Sequence, residues 1–295
     1  MTGPTVKLHN GVDLPMLGLG VYQSGPDETV TAVQAALLDG YRMIDSAAAY
    51  FNEEHVGRAL RETDVPRDAL FVQTKLWMSD YGFDKALHAF DRSMGKLGLE
   101  TLDLYLMHWP VPKEFDLTVE SWKALIRLQE EGRVRAIGIC NASISDVNAL
   151  IEATGVVPTV NQVELHPYLA QSDLRKADAD LGIVTQAWSP IGGVKRHYGP
   201  GTEADDPLRD PVIVRLAEKL GKTPAQIILR WQIEHGNSII PKSIRPERIR
   251  ENSNIFDFRL SADEVASIDA LDRAERGGPD PAEVRQSLFN LVIED

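Results

Sequence analysis

A (β/α)8 barrel, within the α/β class, is the fold that this sequence predicts, and three observations predict it. Short apolar segments alternate with helix-period stretches eight times along the chain. Several of those segments are near-continuous apolar runs, the pattern of parallel strands buried on both faces. No strand–helix turn carries a phosphate-binding glycine fingerprint: Gly18-Leu-Gly20 has no third glycine three residues on, which disfavours a doubly wound sheet of similar length. Residues 1–295 therefore read as one TIM-barrel domain with an N-terminal β-hairpin, and no Pro/Ser-rich linker divides it.

The hairpin is expected over Val6–Leu8 and Asp13–Met16, around an Asn10-Gly11 turn. The eight strands are then placed at Leu17–Val21, Met43–Asp45, Leu70–Lys75, Leu102–His108, Val134–Cys140, Thr159–Glu164, Ile183–Trp188 and Ser238–Pro241. Helices are expected over Asp27–Gly40, Glu53–Glu62, Phe83–Leu97, Val119–Glu131, Ser145–Ala153, Ser172–Leu181 and Pro211–His235, the last broken between Gly221 and Pro224. Another runs over Ser261–Leu271, where Ser261 and Glu264 form a capping pattern. Glycine closes several of them, as at Gly155 and Gly221.

With 44 acidic against 31 basic residues and a net charge of −13, the chain is a poor candidate for binding nucleic acid or a membrane surface through its overall charge. Its one cysteine, Cys140, excludes an intrachain disulfide framework and a Cys-rich metal site, and no metal is expected. Residues 1–15 show no secretory signal, and no apolar run approaches the ~18 residues of a transmembrane helix. A cytoplasmic monomer is the expectation.

In a barrel of this kind, chemistry belongs at the C-terminal ends of the strands. Those ends carry Asp45 with Tyr50 just beyond it, Lys75, His108, Asn141 and Gln162. Singly, each has an ordinary use: Asp45 as a turn cap, Tyr50 as packing, Lys75 as a lysine reaching solvent, His108 as a hydrogen-bonded core residue. Together, on successive strands, they form a proton-donor set. A tyrosine hydroxyl with an ordinary pKa of about 10 is a weak acid at neutral pH. A nearby lysine ammonium lowers that value, an aspartate holds the lysine, and a histidine binds a substrate oxygen or relays a proton.

The segments that carry these residues are Gly40-Tyr-Arg-Met-Ile-Asp45-Ser-Ala-Ala-Ala-Tyr50, Thr74-Lys75-Leu-Trp77, Asp103-Leu-Tyr-Leu-Met-His108-Trp-Pro110 and Ile137-Gly-Ile-Cys-Asn141. With Asn161-Gln-Val-Glu-Leu-His166-Pro167, Trp188-Ser-Pro190 and Ile240-Pro-Lys-Ser243, they resemble the aldo-keto reductase superfamily, in its bacterial 2,5-diketo-gluconate reductase-like branch. The resemblance runs from Val6 to about Leu271. It implies a catalytic tetrad of Asp45, Tyr50, Lys75 and His108, with Tyr50 as general acid, Lys75 lowering its pKa and His108 orienting the carbonyl. It further implies hydride transfer from NADPH held without a Rossmann fold.

By the same resemblance, Gly20, Val21 and Tyr22 border the cofactor, Asn141 and Gln162 hold the carboxamide, Trp188 stacks on the nicotinamide and Ser189 lies toward the pyrophosphate. Cys140 stands where many relatives have serine, and a thiol is the weaker donor. Lys242, Ser243 and Arg248 would take the 2′-phosphate, with Glu251 and Asn252 toward the adenine. Four cations against one anion over residues 242–250, beside a helix start at Pro246, suit a phosphate. Tyr22, Phe51, Trp77, His108 and Trp109 would line the site of a small-molecule carbonyl substrate. The C-terminal segment 274–295 matches the family least, and its apolar end would fold over the active site or pack elsewhere. Two other readings remain open at this point: an aldolase or lyase with Lys75 as a Schiff base, and a non-catalytic NADPH-sensing module.

Overall fold

The computed structural model describes residues 3–193 and 206–293. A two-stranded antiparallel hairpin, β1 (Thr5–Lys7) and β2 (Asp13–Pro15), precedes an eight-stranded parallel sheet. Its strands follow one another in chain order: β3 (Gly18–Gly20), β4 (Met43–Asp45), β5 (Phe71–Leu76), β6 (Leu102–Met107), β7 (Val134–Cys140), β8 (Val160–Glu164), β9 (Val184–Trp188) and β10 (Ser238–Ile239). The sheet closes on itself through parallel bridges from Leu17 to Ile239 and from Gly20 to Lys242, which makes it a barrel. The strands approach closely at this seam: a Cβ on Gly20 would lie 3.0 Å from the Ile240 carbonyl oxygen, a tight contact.

Alternation along each strand divides the core in two. Met43, Phe71, Leu104, Leu106, Ala136, Cys140, Val160 and Ile240 form the barrel interior, and Leu8 and Leu14 of the hairpin plug its lower end. The outward set, including Ile44, Val72, Tyr105, Met107 and Ile137, packs against the surrounding helices. The chain is apolar on both faces of its strands for this reason. The helices are α1 (Pro26–Leu38), α2 (Glu53–Arg61), α3 (Phe83–Leu97), α4 (Phe115–Glu130), α5 (Ile144–Thr154), α6 (Ser172–Asp180), α7 (Pro211–Leu220), α8 (Pro224–Glu234), α9 (Pro246–Ser253) and α10 (Ala262–Asp269). The expected break between α7 and α8 is present: Gly221 takes the left-handed conformation (φ 63°), and Thr223 and Gln226 form a capping box. Helix α4 begins at Phe115 rather than Val119, because a one-turn 3₁₀ helix at Pro112–Glu114 leads straight into it. Among the described residues no helix is long and apolar enough to cross a membrane.

Beneath β8 and β9, Asp178 of α6 is buried, accepting hydrogen bonds from Thr185 Oγ1 at 2.9 Å and Asn161 Nδ2 at 3.4 Å. Burial outweighs these bonds and pushes its carboxyl up to about 6. The folded state then holds its proton more tightly than the unfolded chain, whose Asp titrates near 3.9. Stability falls, for this group, as pH rises from about 4 to 6. Asp178→Asn keeps an acceptor for Thr185 and is expected to raise stability by roughly 1–2 kcal/mol at pH 7.5. Thermal unfolding at pH 7.5 and 4.5 checks this: the gain should shrink at the lower pH, and an equal gain at both refutes the titration account.

Candidate active site

The upper strand ends bring Asp45, Tyr50, Lys75 and His108 together. Asp45 closes β4, Lys75 lies on the inward face of β5, and His108 directly follows β6. Tyr50 sits on a 3₁₀ turn (Ala48–Tyr50) that Phe51 ends in the left-handed conformation (φ 55°), turning the chain into α2. Lys75 is completely buried. Its Nζ donates to Asp45 Oδ1 and Oδ2 at 2.7 and 2.8 Å, to the Ser46 carbonyl at 2.9 Å and to Tyr50 Oη at 3.3 Å. The Tyr50 ring makes edge contacts with Tyr22 (5.0 Å) and His108 (5.6 Å), and Trp77 packs on the other side of His108 (5.1 Å).

Burial pushes the Tyr50 phenol above its ordinary value, and the Asp45 carboxylate adds to it, with smaller contributions from Cys140 and Tyr22. The lowered value expected from Lys75 is not found. The ammonium grips both Asp45 oxygens, so Tyr50 faces an ion pair rather than a lone cation, and desolvation dominates. Tyr50 is therefore a protonated phenol at neutral pH. Burial, helped by Lys75, pulls His108 well below the ordinary histidine range, so its imidazole is neutral. His108 Nδ1 is buried with no hydrogen-bond partner among the described residues.

The residues expected around a nicotinamide surround this cluster. Asn141 is left-handed (φ 59°); its Nδ2 donates to the His108 carbonyl at 3.0 Å, and its Oδ1 accepts from Trp188 Nε1 at 2.8 Å. Gln162 donates both Nε2 hydrogens inward, to Asp45 Oδ1 at 3.0 Å and Gln186 Oε1 at 2.7 Å, so it presents Oε1 alone. Cys140 packs within the barrel interior below, where burial raises its thiol and Lys75 partly opposes this. Val21 is buried and its N–H binds the Asp45 carbonyl at 3.1 Å, while Ser189 is left-handed (φ 48°) after Trp188.

The basic cluster lies at the start of α9. Lys242 and Arg248 are exposed and, with Arg245, have no ion-pair partner among the described residues. Partial burial lowers Lys242 from the ordinary lysine value, opposed by Glu28. Ser243 Oγ accepts the Arg245 N–H at 3.1 Å. Asn252 is buried, and Glu251 accepts from Thr223 Oγ1 at 2.8 Å. Arg250 leaves the cluster: it pairs with Asp39 at 3.1 Å.

Sequence reasoning passed over three features. Gln73 and Gln186 bind within the barrel below Asp45, each hidden as one polar residue in an apolar run. Glu164, fully buried at the end of β8, accepts the N–H groups of Gly277 and Gly278 at 2.7 and 2.9 Å. That pins the C-terminal segment across Trp188, which Gly278 approaches so closely that a Cβ would lie 2.8 Å from its ring. Burial raises the Glu164 carboxyl, but His166 and the two glycine amides more than offset it. Farther on, Phe289 packs on Trp77 (5.5 Å) and Trp109 (5.9 Å), and Trp77 Nε1 donates to the Leu291 carbonyl at 2.8 Å. The apolar tail thus folds over the site, the first of the two alternatives read from the sequence.

Comparison with known proteins agrees with this arrangement. The model of the Aldo/keto reductase family matches residues 16–273. The chain is 49% identical to morphine 6-dehydrogenase of Pseudomonas putida over 289 residues, 97% of each protein. It is 48% identical to methylglyoxal reductase DkgA of Escherichia coli over 282 residues, 95% of this chain and 98% of that one. Among solved structures, an aldo-keto reductase of Bombyx mori in complex with NADP superimposes with a TM-score of 0.86 at 34% identity, covering 95% of this chain and 96% of that one. With a family model spanning most of its length and relatives matched nearly end to end, this chain belongs to the aldo-keto reductase family.

Proposed function

We propose that this protein reduces aldehydes or ketones to alcohols with NADPH, Tyr50 supplying the proton. The observation that carries this reading is the contact of Tyr50 Oη, 3.3 Å from Lys75 Nζ, beside a neutral His108. The cofactor fits the donor set: Lys242, Arg245 and Arg248, which have no ion-pair partner among the described residues, suit a phosphate dianion together with the Ser243 hydroxyl at a helix N-terminus. Asn141, through its remaining amide hydrogen, and Gln162, through Oε1, suit the two ends of a carboxamide. Trp188 offers a ring face, and Gly20, Val21, Tyr22, Ser189, Glu251 and Asn252 border the path between.

When bound, the reduced nicotinamide supplies a hydride to the carbonyl carbon. The Tyr50 phenol gives its proton to the carbonyl oxygen, and the phenolate left behind is met by the Lys75 ammonium. Proton delivery overcomes the raised phenol value because the developing alkoxide is far more basic than the ground-state carbonyl. His108, neutral, orients the substrate oxygen without competing as an acid. Tyr22, Trp77, Trp109 and Phe289 exclude water and favour substrates with an apolar face.

A Schiff base at Lys75 fits less well, since its Nζ is buried and held by both Asp45 oxygens. A sensing role leaves the assembled proton donor without a use. Titrating NADPH against tryptophan fluorescence, then following absorbance at 340 nm with a panel of aldehydes and ketones, tests the reading. Quenching followed by substrate-dependent loss of absorbance is expected. Neither quenching nor NADPH consumption would sink it.

A further inference from the structure

Asp45 Oδ1 holds more than Lys75. It also accepts Gln73 Nε2 at 2.6 Å and Gln162 Nε2 at 3.0 Å. The same two amides donate to Gln186 Oε1, at 2.8 and 2.7 Å. Four side chains from β4, β5, β8 and β9 therefore close a ring of hydrogen bonds across the barrel interior. Gln186 Nε2 continues it to Ser238 Oγ at 3.1 Å, and that hydroxyl donates to the Pro15 carbonyl in the hairpin at 2.9 Å.

All three glutamines are buried. Barrel interiors are ordinarily filled by branched apolar residues, and a buried amide is costly unless its hydrogens are matched. Methionine at 73 and 186 would fill similar space without that demand, so packing alone does not account for the ring.

We propose that Gln73 and Gln186 are positioning residues for carbonyl reduction: through the ring they hold Asp45, which fixes Lys75 beside Tyr50, in one frame with Gln162, which faces the carboxamide. This rests on the reductase reading above. The ring makes the proton-delivery group and the cofactor-facing amide parts of one hydrogen-bonded unit, so neither shifts without the other. It also shares the Asp45 charge among two amides and an ammonium. The ionisable groups that face Tyr50 are Lys75 from β5, Asp45 from β4, Tyr22 after β3, His108 after β6 and Cys140 from β7. Of these, Gln73 and Gln162 touch Asp45 alone. Losing an amide donor concentrates negative charge beside Tyr50 and makes its phenol harder to ionise.

The test is Gln73→Met. Lowering kcat about tenfold is expected, with the carbonyl KM within about twofold, because a small misplacement of the reacting groups affects turnover more than binding. In the alcohol-oxidation direction, where the Tyr50 phenolate is the base and the rate rises with pH as the phenol ionises, that ascending limb of the pH profile should move up by about half a unit. Gln186→Met, one bond farther from Asp45, should act in the same direction and less. A readout independent of turnover is hydrogen exchange of the glutamine side-chain amides, followed by ¹⁵N NMR in cofactor-free protein. Slow exchange of Gln73, Gln162 and Gln186 is expected in the unsubstituted protein, with faster exchange of Gln162 in Gln73→Met.

Unchanged kcat, pH limb and Gln162 exchange, with only a lower Tm, would mean that the ring merely packs. Should neither variant fold, fast exchange of these amides in the unsubstituted protein still overturns the proposal, and slow exchange supports it. Failure of the reductase reading looks different: the unsubstituted protein would consume no NADPH while its amides stayed protected.

Discussion

Tyr50→Phe is expected to lower kcat for carbonyl reduction by roughly 10²- to 10⁴-fold, the contribution of a positioned general acid, while leaving NADPH affinity within about twofold. The substitution removes one oxygen. The ring keeps its edge contacts with Tyr22 and His108, so the pocket wall is retained. Lys75 keeps Asp45 and the Ser46 carbonyl as partners, so the buried cation is not stranded. What disappears is the only hydroxyl hydrogen-bonded to Lys75 Nζ among the described residues.

The pH dependence follows from the same surroundings. Because burial and Asp45 raise the phenol, Tyr50 stays protonated through pH 6–9, and reduction should show no alkaline limb from it in that range. Because burial and Lys75 depress His108, its folded-state value lies below that of the unfolded chain. It is therefore neutral throughout the same range, and no acid limb near 6.5 should arise from it. Single-turnover measurements with NADPH in excess separate chemistry from product release. Tyr50→Phe turnover within tenfold of the unsubstituted protein would remove Tyr50 as the acid.

The barrel was legible because its strands are buried on both faces. Leu104 and Leu106 look inward while Tyr105 and Met107 look outward, and both destinations are apolar, so the run announces itself. The four strand-end residues were legible for the complementary reason: a polar residue ending an apolar run has few uses. The remainder depends on contacts that local pattern does not encode. Gln73 and Gln186 lie inside such runs, and only the partner across the barrel gives their amides a purpose. Tyr50 was expected to have a lowered pKa because the sequence supplies Lys75 but not the geometry in which Asp45 takes up its charge. The tail was ambiguous until Phe289 met two tryptophans more than 170 positions away in the chain.

Arg250 teaches the same lesson about charge. In sequence it belongs with Lys242, Arg245 and Arg248; in space its guanidinium is on Asp39. This separation gives the second large prediction its internal control. The double variant Lys242→Ala, Arg248→Ala should weaken NADPH binding about 10²- to 10⁴-fold, since two charge-assisted bonds at roughly 1.5–3 kcal/mol each are removed. NADH lacks the 2′-phosphate and should lose no more than a few-fold. Arg250→Ala should leave both cofactors nearly unaffected, because that side chain is already engaged elsewhere. Fluorescence titration of the three variants with each cofactor decides it, and equal losses for NADPH and NADH in the double variant would remove the phosphate assignment. Salt adds an independent check: the NADPH preference should narrow as ionic strength rises, because the cations concerned are exposed. A molecule of net charge −13 repels a polyanionic dinucleotide at long range, so discrimination in favour of the additional phosphate has to come from local cations that have no ion-pair partner among the described residues. Lys242 and Arg248 meet that condition, and Arg250 does not.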